Sequence, residues 1–224
     1  MKSPAYKRYS VLVSSTVSFT VCFMIWMMFA VVGIPIKAQL GLTEAQFGLL
    51  TAIPVLSGSL VRVPLGILTD KYGGRIVMFV LMLASVPFIF LMQYATEYWQ
   101  FLTIGLIMGL AGGAFSVGTP YVARWFPKEQ QGLAMGVFGA GNAGSALTKL
   151  IAPQLIAWAA AAGAAAAAWK IVPNVYAAIM LATAVMFWFT SYHDPKHLTD
   201  SKVSLKQQLA LLKDPGVLRY SQYY

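Results

Sequence analysis

The chain has 224 residues, of which 58% are hydrophobic and only 10% are charged, and its formal net charge is +9. This composition excludes a soluble domain built around one core and predicts a membrane protein with several spanning segments. We expect no nucleic-acid partner, because the basic residues are spread along the ends of apolar segments. The single cysteine, Cys22, cannot form a disulfide within the chain.

Six apolar segments follow one another, each about as long as a bilayer-spanning helix needs to be. They cover residues 10–36, 44–69, 76–95, 100–123, 132–158 and 171–192. We therefore predict an all-α membrane protein whose residues 1–192 form a six-helix bundle in the lipid bilayer. We expect residues 193–216 to form a cytoplasmic interdomain loop, and residues 217–224 to begin a seventh spanning helix that is cut off at Tyr224.

The basic residues predict the orientation of the bundle. With the N-terminus in the cytoplasm, twelve of the sixteen Lys and Arg residues lie inside and only Lys37 and Lys170 lie outside. Arg62 and Lys149 fall within spans. Positively charged loops stay on the cytoplasmic side, so we expect a multi-pass protein of the inner (plasma) membrane with a cytoplasmic N-terminus.

Arg62 is the most informative residue of the sequence, because it is the one charge in the long apolar run from residue 45 to residue 69. That run would extend roughly 37 Å as a helix. A cation at such depth is costly and usually faces a cavity or a partner. The acidic residues all lie at span ends or in loops, at Glu44, Asp70, Glu97, Glu129, Asp194, Asp200 and Asp214. The guanidinium therefore predicts an anionic ligand.

The loop between the second and third segments reads GILTDKYGGR, from Gly66 to Arg75. Its pattern G-x-L-x-D-x-x-G-x-R resembles the cytoplasmic loop signature of the major facilitator superfamily. Asp70 can accept charge-assisted hydrogen bonds from Arg75 or from a neighbouring helix end, and such a latch can open and close. The predicted gating residues are Gly66, Asp70, Gly73, Gly74, Arg75 and Arg124.

The fifth segment carries small residues every fourth position, which predicts a close helix contact. These residues are Gly132, Gly136, Ala140 and Gly144. At about 100° per residue, Asn142, Ala146 and Lys149 would lie on nearly the opposite face. We expect Lys149 either to line an outer vestibule that attracts anions or to extend to the outer interface.

Three potential site residues fall at similar depth. Arg62 lies about 12 Å from the cytoplasmic end of its helix, Phe115 about 13 Å and Asn142 about 15 Å. Transporters commonly bind substrate at this level near the bilayer midplane. The sequence therefore predicts that these three side chains share one layer.

Two stretches, SGSLVRVPLGILTDKYGGR (57–75) and GAGNAGSALTKLIAP (139–153), together resemble the nitrate/nitrite porter family of the major facilitator superfamily. The G-x-G-N-x-G motif resembles the nitrate signature in the fifth helix of that family. WMMFAVVG (26–33) and AGGAFSVGTPYVARWFPKEQQG (111–132) extend the resemblance. It runs along the whole chain but covers only the N-terminal half of a family member.

The resemblance implies a site for nitrate or nitrite. By it, Arg62 is one of two substrate arginines, Asn142 is a signature residue beside the anion, and Phe29 and Phe115 flank the site. The implied substrate-binding residues also include Gly139, Gly141, Gly144, Lys149 and Tyr224. The second arginine would lie in a C-terminal half-bundle beyond residue 224. A guanidinium fork suits a planar monoanion.

Several alternatives remain open. The coupling could be proton symport, as for nitrate uptake in assimilation, or nitrate–nitrite exchange. No acidic residue lies within the spans, which mildly disfavours a proton site there. Another carrier of the superfamily would keep the Gly66–Arg75 loop but has little reason for the Gly139–Gly144 motif. A non-transporting half-bundle stays open because six helices supply only one wall of a pathway. We expect no enzyme, cofactor or metal site, because the sequence has no P-loop, Rossmann fingerprint, zinc spacing or nucleophile elbow.

Overall fold

The computed structural model describes residues 3–194, with the exception of the side chains of residues 164–166. Within residues 3–194 the secondary structure is helical and contains no strand. This confirms the predicted all-α class. The predicted interdomain loop from residue 195 onward, the predicted start of a seventh helix and Tyr224 lie outside the described residues.

Among residues 3–194, six helices are long and apolar enough to cross a membrane. They are Pro4–Leu40, Glu44–Tyr72, Gly74–Tyr94, Tyr98–Trp125, Lys128–Gly163 and Ala167–Thr190, here called spans 1 to 6. Each contains or overlaps one of the six apolar segments of the sequence, so the number and order of the spans are confirmed. Every span begins at or before the start of its apolar segment, and spans 3 and 6 end one and two residues before the end of theirs.

Most of the spans are interrupted. Span 1 consists of α1 (Pro4–Trp26) and α2 (Phe29–Leu40), and span 2 of α3 (Glu44–Leu60) and α4 (Arg62–Tyr72). Span 3 begins with α5 (Gly74–Leu91). Span 4 contains α6 (Tyr98–Met108) and α7 (Ala114–Trp125), joined by the 3₁₀ turn Gly109–Gly113. Span 5 contains α8 (Lys128–Gly139), the 3₁₀ turn Ala140–Ala143 and α9 (Gly144–Ala159), and span 6 contains α10 (Ile171–Thr190).

Span 1 lies at the centre of the bundle. Helix α1 packs against α7, α8, α9 and α10 and against the 3₁₀ turns of spans 4 and 5. Its side chains are accordingly among the most buried, and Val11, Phe19, Cys22 and Ile25 have no exposed surface. The interruptions of spans 4 and 5 therefore meet the helix that leads into the interruption of span 1.

The ends of the spans are capped by the sequence. Thr43 and Gln46 form a reciprocal capping box at the start of α3, and Glu97 and Gln100 form one at the start of α6. Gly73 has φ +87°, a backbone conformation that residues other than glycine rarely adopt. It turns the chain from α4 directly into α5. These devices place the short connections at the two faces of the bundle.

Candidate functional site

Arg62 is the first residue of α4, directly after the interruption of span 2 at Val61. Its side chain is partly buried, and its Nε atom is buried without a hydrogen-bond partner. Within residues 3–194 no carboxylate forms an ion pair with it. A buried guanidinium nitrogen without a partner is costly. The geometry is what an anion-binding arginine requires, and the role of Arg62 remains a prediction.

Phe115 lies in an aromatic cluster that joins spans 1, 4 and 5. Its ring centroid is 5.6 Å from that of Phe19 and 6.1 Å from that of Phe138. Phe19 also stacks on Phe138 at 4.8 Å and meets Phe23 edge-on at 4.6 Å. Phe23 in turn lies 4.8 Å from Trp26. Phe115 keeps 38% of its surface exposed, so its ring reaches from this cluster to an open face of the half-bundle.

Phe29 occupies a different environment from the one expected. It is only 1% exposed, and its ring faces Gly105 and Pro54 between spans 1, 2 and 4. The helix break at Met27–Met28 sets the direction of Phe29 separately from that of α1. In this arrangement the side chain packs in the interior and does not reach an open face. The sequence reasoning missed Phe19, Phe23 and Trp26, whose four- and three-residue spacing on α1 was the available signal.

The fifth span presents Asn142 on an open face. The side chain is exposed, and its Nδ2 donates to the Gly139 carbonyl oxygen at 2.8 Å. Lys149 is also exposed, seven residues further along the same span, and has no hydrogen-bond partner within the described part of the chain. Asn142 and Lys149 therefore lie on surfaces that other residues of spans 1–6 leave uncovered.

The predicted packing ridge of span 5 was wrong for three of its four residues and holds at Gly144, which lies against α1. Gly132, Gly136 and Ala140 are exposed, and a Cβ atom added at either glycine would meet nothing within 4 Å. The buried stripe instead runs through Ala134, Phe138, Gly141, Gly144, Thr148 and Ala152. The stripe already differs from the predicted ridge in α8, before the 3₁₀ turn Ala140–Ala143, because contacts of α8 with α1 and α7 decide which of its faces is buried.

Two glycines of the G-x-G-N-x-G motif lie directly against α1. A Cβ at Gly141 would lie 2.3 Å from Phe19 Cδ1, and a Cβ at Gly144 would lie 2.1 Å from the carbonyl oxygen of Thr20. These approaches leave no room for a side chain. Gly141 and Gly144 thus bring Asn142 close to the aromatic cluster, whereas Gly139 is half-buried and offers its carbonyl to Asn142.

A charge cluster joins spans 2, 4 and 6 at the face of the bundle that carries Lys7, Arg75 and Arg124, here called the basic face. Arg124 donates from Nη2 to Asp70 Oδ1 at 2.5 Å and from Nη1 to Asp194 Oδ2 at 3.1 Å. The Asp194 side chain is only 3% exposed, whereas that of Asp70 is 46% exposed. One guanidinium therefore bridges a carboxylate of α4 and a carboxylate of the segment that follows α10.

Of the two partners expected for Asp70, the structure shows the neighbouring helix end, at Arg124, and not Arg75. Arg75 does not contact Asp70: its Nη2 donates to the Trp188 carbonyl oxygen at 2.6 Å, and its guanidinium lies 4.4 Å from the Trp188 ring centroid. The tight turn explains this direction, because Gly74 lies against Tyr121 so closely that a Cβ would be 2.2 Å from Tyr121 Cβ. Gly66 is half-buried with open space beside it.

The sequence reasoning missed Asp194, an acid directly after the sixth apolar segment. Burial raises the pKa of its carboxyl above the ordinary value, and Arg124 and the Gly74 amide act in the opposite direction. Beside it, the Tyr121 hydroxyl donates to the Tyr192 carbonyl oxygen at 2.5 Å. The end of span 6 is therefore fixed to span 4 by an ion pair and a hydrogen bond.

This architecture is shared with known proteins. Residues 15–222 match the family model of the Major Facilitator Superfamily. The fold is shared with crystal structures of a bacterial homolog of the human lysosomal transporter Spinster. In its inward-facing, unoccupied form the TM-score is 0.73 at 18% identity, over 89% of this chain and 46% of that one. In the occupied form the TM-score is 0.71, over 90% and 48% of the two chains.

Curated relatives confirm the resemblance to nitrate/nitrite porters. The chain is 40% identical over 223 residues to a probable nitrate/nitrite antiporter, NarK1, of Thermus thermophilus, covering 97% of this chain and 50% of that protein. It is 33% identical to a probable nitrate transporter, NarT, of Staphylococcus aureus, over 93% and 51% of the two chains. It is 31% identical to a nitrite extrusion protein of Bacillus subtilis, over 87% and 46%. The chain spans about half the length of the curated relatives it matches, and it is a multi-pass membrane protein that belongs to the Major Facilitator Superfamily.

Proposed function

We propose that this chain forms one half of a carrier that moves nitrate or nitrite across the bilayer by alternating access. The observation that carries the proposal is Arg62, a partly buried cation at a helix interruption without a carboxylate partner among the described residues. A permanent positive charge in that position is stabilised by an anion that enters and leaves. The relatives named for nitrate and nitrite supply the identity of the anion.

We expect Arg62, Asn142, Phe115 and Lys149 to act together on a small planar anion. The guanidinium offers parallel N–H donors that match two oxygens of nitrate or nitrite. Asn142 offers an amide on the open face of span 5, and Phe115 offers an exposed ring edge on span 4. Lys149, about 10 Å further along span 5, would attract the anion toward this level. A second six-helix half would complete the wall of the site.

The charge cluster at the basic face supplies a gate for the same cycle. Arg124 holds span 2 through Asp70 and span 6 through Asp194. Breaking one of these pairs would free a helix end within this half-bundle without unfolding either span, and such a change can accompany alternating access. We assign the basic face to the cytoplasmic side of the inner membrane, following the distribution of Lys and Arg.

Two coupling modes lead to different requirements. Proton symport needs a group that gains and loses a proton during the cycle, and Asp194 is a buried carboxylate at the gate. Exchange needs only that the carrier changes its open side when an anion is bound. The Thermus thermophilus relative is named an antiporter. We propose nitrate uptake coupled to protons, with exchange of nitrate for nitrite as the second candidate.

The test is anion uptake by the protein as its gene encodes it, purified and reconstituted in vesicles. Nitrate uptake that collapses when a proton ionophore is added supports symport. Uptake that ignores the ionophore and requires nitrite inside the vesicles supports exchange. The matched control is the Arg62→Gln variant in the same vesicles, which we expect to lose uptake in either mode. Wild-type vesicles that carry neither anion would contradict the proposed function and favour another carrier or a non-transporting half-bundle.

A further inference from the structure

Trp26 is the last residue of α1 and lies where span 1 meets spans 2 and 4. Its indole Nε1 donates to the Pro54 carbonyl oxygen of α3 at 2.8 Å. The same carbonyl also accepts a hydrogen bond from Ser57 Oγ at 3.2 Å. Two side-chain donors on one carbonyl draw it away from its ideal helical direction. Helix α3 ends at Leu60, two residues before Arg62, because Pro64 has no N–H to donate to the Leu60 carbonyl oxygen.

The indole occupies a socket that only glycines leave open. A Cβ at Gly58 would lie 2.7 Å from Trp26 Nε1, and a Cβ at Gly112 would lie 2.7 Å from both Nε1 and Cε2. At Gly112 the three nearest atoms all belong to Trp26. The ring therefore packs against a glycine of span 2 and a glycine of span 4. Its position is coupled to both spans.

The two socket glycines stand next to the two potential anion contacts. Gly58 precedes Arg62 by one helical turn, and Gly112 precedes Phe115 by three residues. Arg62 begins α4 and Phe115 lies in the first turn of α7, so each follows a helix interruption that borders the socket. A small displacement of the indole would thus move the guanidinium and the aromatic ring relative to each other.

We propose that Trp26 is a positioning residue that sets the distance between Arg62 and Phe115 and thereby the preference of the site between nitrate and nitrite. This inference rests on the proposed function. Nitrate has one oxygen more than nitrite, so the width of the space between a guanidinium and a ring edge discriminates between the two anions. Trp26 acts through span 2 and span 4 and does not itself need to contact the anion.

The experiment measures KM for nitrate and for nitrite in reconstituted protein as its gene encodes it. Trp26→Phe keeps an aromatic ring and removes the N–H donor. We expect the ratio of the two KM values to change about three- to tenfold, the effect of one hydrogen bond of ordinary strength. Trp99→Phe is the matched control, because Trp99 is 63% exposed at the start of span 4. Its ratio should equal that of the wild type.

A second variant changes the same socket on the side of span 4. Gly112→Ala pushes the indole aside and leaves Trp26 intact, and it should change the KM ratio as well. Gly136→Ala, on an open surface of span 5, is its control. A residue that only packs would lower the amount of folded protein and leave both KM values unchanged. If Trp26→Phe does not fold, the ratio in Gly112→Ala decides the question.

The outcomes separate this inference from the proposed function. Wild-type transport with unchanged KM ratios in the folded socket variants would overturn the inference alone. Wild-type protein that carries neither anion would overturn the proposed function and the inference with it. A changed ratio in a socket variant, with normal ratios in Trp99→Phe and Gly136→Ala, supports the positioning role.

Discussion

Arg124 lies 3.1 Å from Asp194, whose side chain is only 3% exposed, and this pair ties span 4 to the end of span 6. The same guanidinium contacts Asp70 at 2.5 Å, but Asp70 is about half exposed. The two halves of this bridge therefore differ in strength. A buried carboxylate depends on its partner, whereas an exposed pair is screened by water and contributes little.

This difference predicts an order of stability among variants. Arg124→Gln leaves the Asp194 carboxylate buried without its cation, and we expect a loss of roughly 3 kcal/mol or more. Asp70→Asn removes only the exposed half of the bridge and should cost under about 1 kcal/mol. Thermal unfolding of the two purified variants tests the order. Equal midpoints for Arg124→Gln and Asp70→Asn would contradict the distinction.

The pKa of Asp194 predicts how stability responds to pH. Burial raises the pKa in the folded protein above the ordinary value of 3.8, so the folded state holds a proton more tightly than the unfolded state. This contribution to stability is full below pH 3.8 and is lost as the pH rises through the folded pKa. The wild type should therefore lose stability relative to Asp194→Asn over that window. A difference between the two proteins that does not vary with pH would contradict the assignment.

The glycines of span 5 provide a matched pair for packing. Gly144→Ala places a Cβ against the carbonyl oxygen of Thr20, and a backbone atom cannot move aside easily, so we expect a loss of about 1–3 kcal/mol. Gly136→Ala adds a Cβ in open space and should be neutral or slightly stabilising, because alanine favours the helix. Unfolding midpoints of both variants check the prediction. A destabilised Gly136→Ala beside a Gly144→Ala of normal stability would contradict it.

Phe29 and Phe115, the two phenylalanines that the family resemblance implied, should differ in what their loss changes: stability for one and anion affinity for the other. Phe29→Ala empties a packed site and should cost about 3–5 kcal/mol of stability. Phe115→Ala removes a half-exposed ring from the open face and should mainly raise the KM for the anion. Comparing unfolding midpoints with KM values for the folded protein distinguishes a core residue from a site residue. A Phe29→Ala variant of normal stability and raised KM would return Phe29 to the site.

The spans could be predicted because hydrophobic length and charge position depend on short stretches of sequence. Arg62, Phe115 and Asn142 could be selected for the same reason. What failed was the choice of the helix face that is buried. Gly132 and Gly136 are exposed although they precede the 3₁₀ turn Ala140–Ala143, and Phe29 packs in the interior directly after the break at Met27–Met28. Tertiary contacts that periodicity does not contain decide which face of a helix is buried.

Long-range charge pairing was predicted in part. The loop signature identified Asp70, and Arg124 was placed among the gating residues. The sequence could not decide which guanidinium contacts Asp70, because Arg75 is nearer along the chain while Arg124 is nearer in space. Asp194 was missed because an acid after a span is ordinarily solvated. Its burial depends on how span 6 packs against spans 3 and 4.

The most direct test of the central claim is nitrate binding to purified protein by calorimetry, with Arg62→Lys beside the wild type. We predict saturable binding by the wild type and an affinity at least about tenfold weaker in Arg62→Lys, because an ammonium keeps the charge but cannot reproduce the paired donors of a guanidinium. Arg124→Lys, at the gate and not at the site, serves as the matched control and should bind nitrate as the wild type does. Wild-type affinity in Arg62→Lys would contradict the assignment of Arg62 as the anion contact.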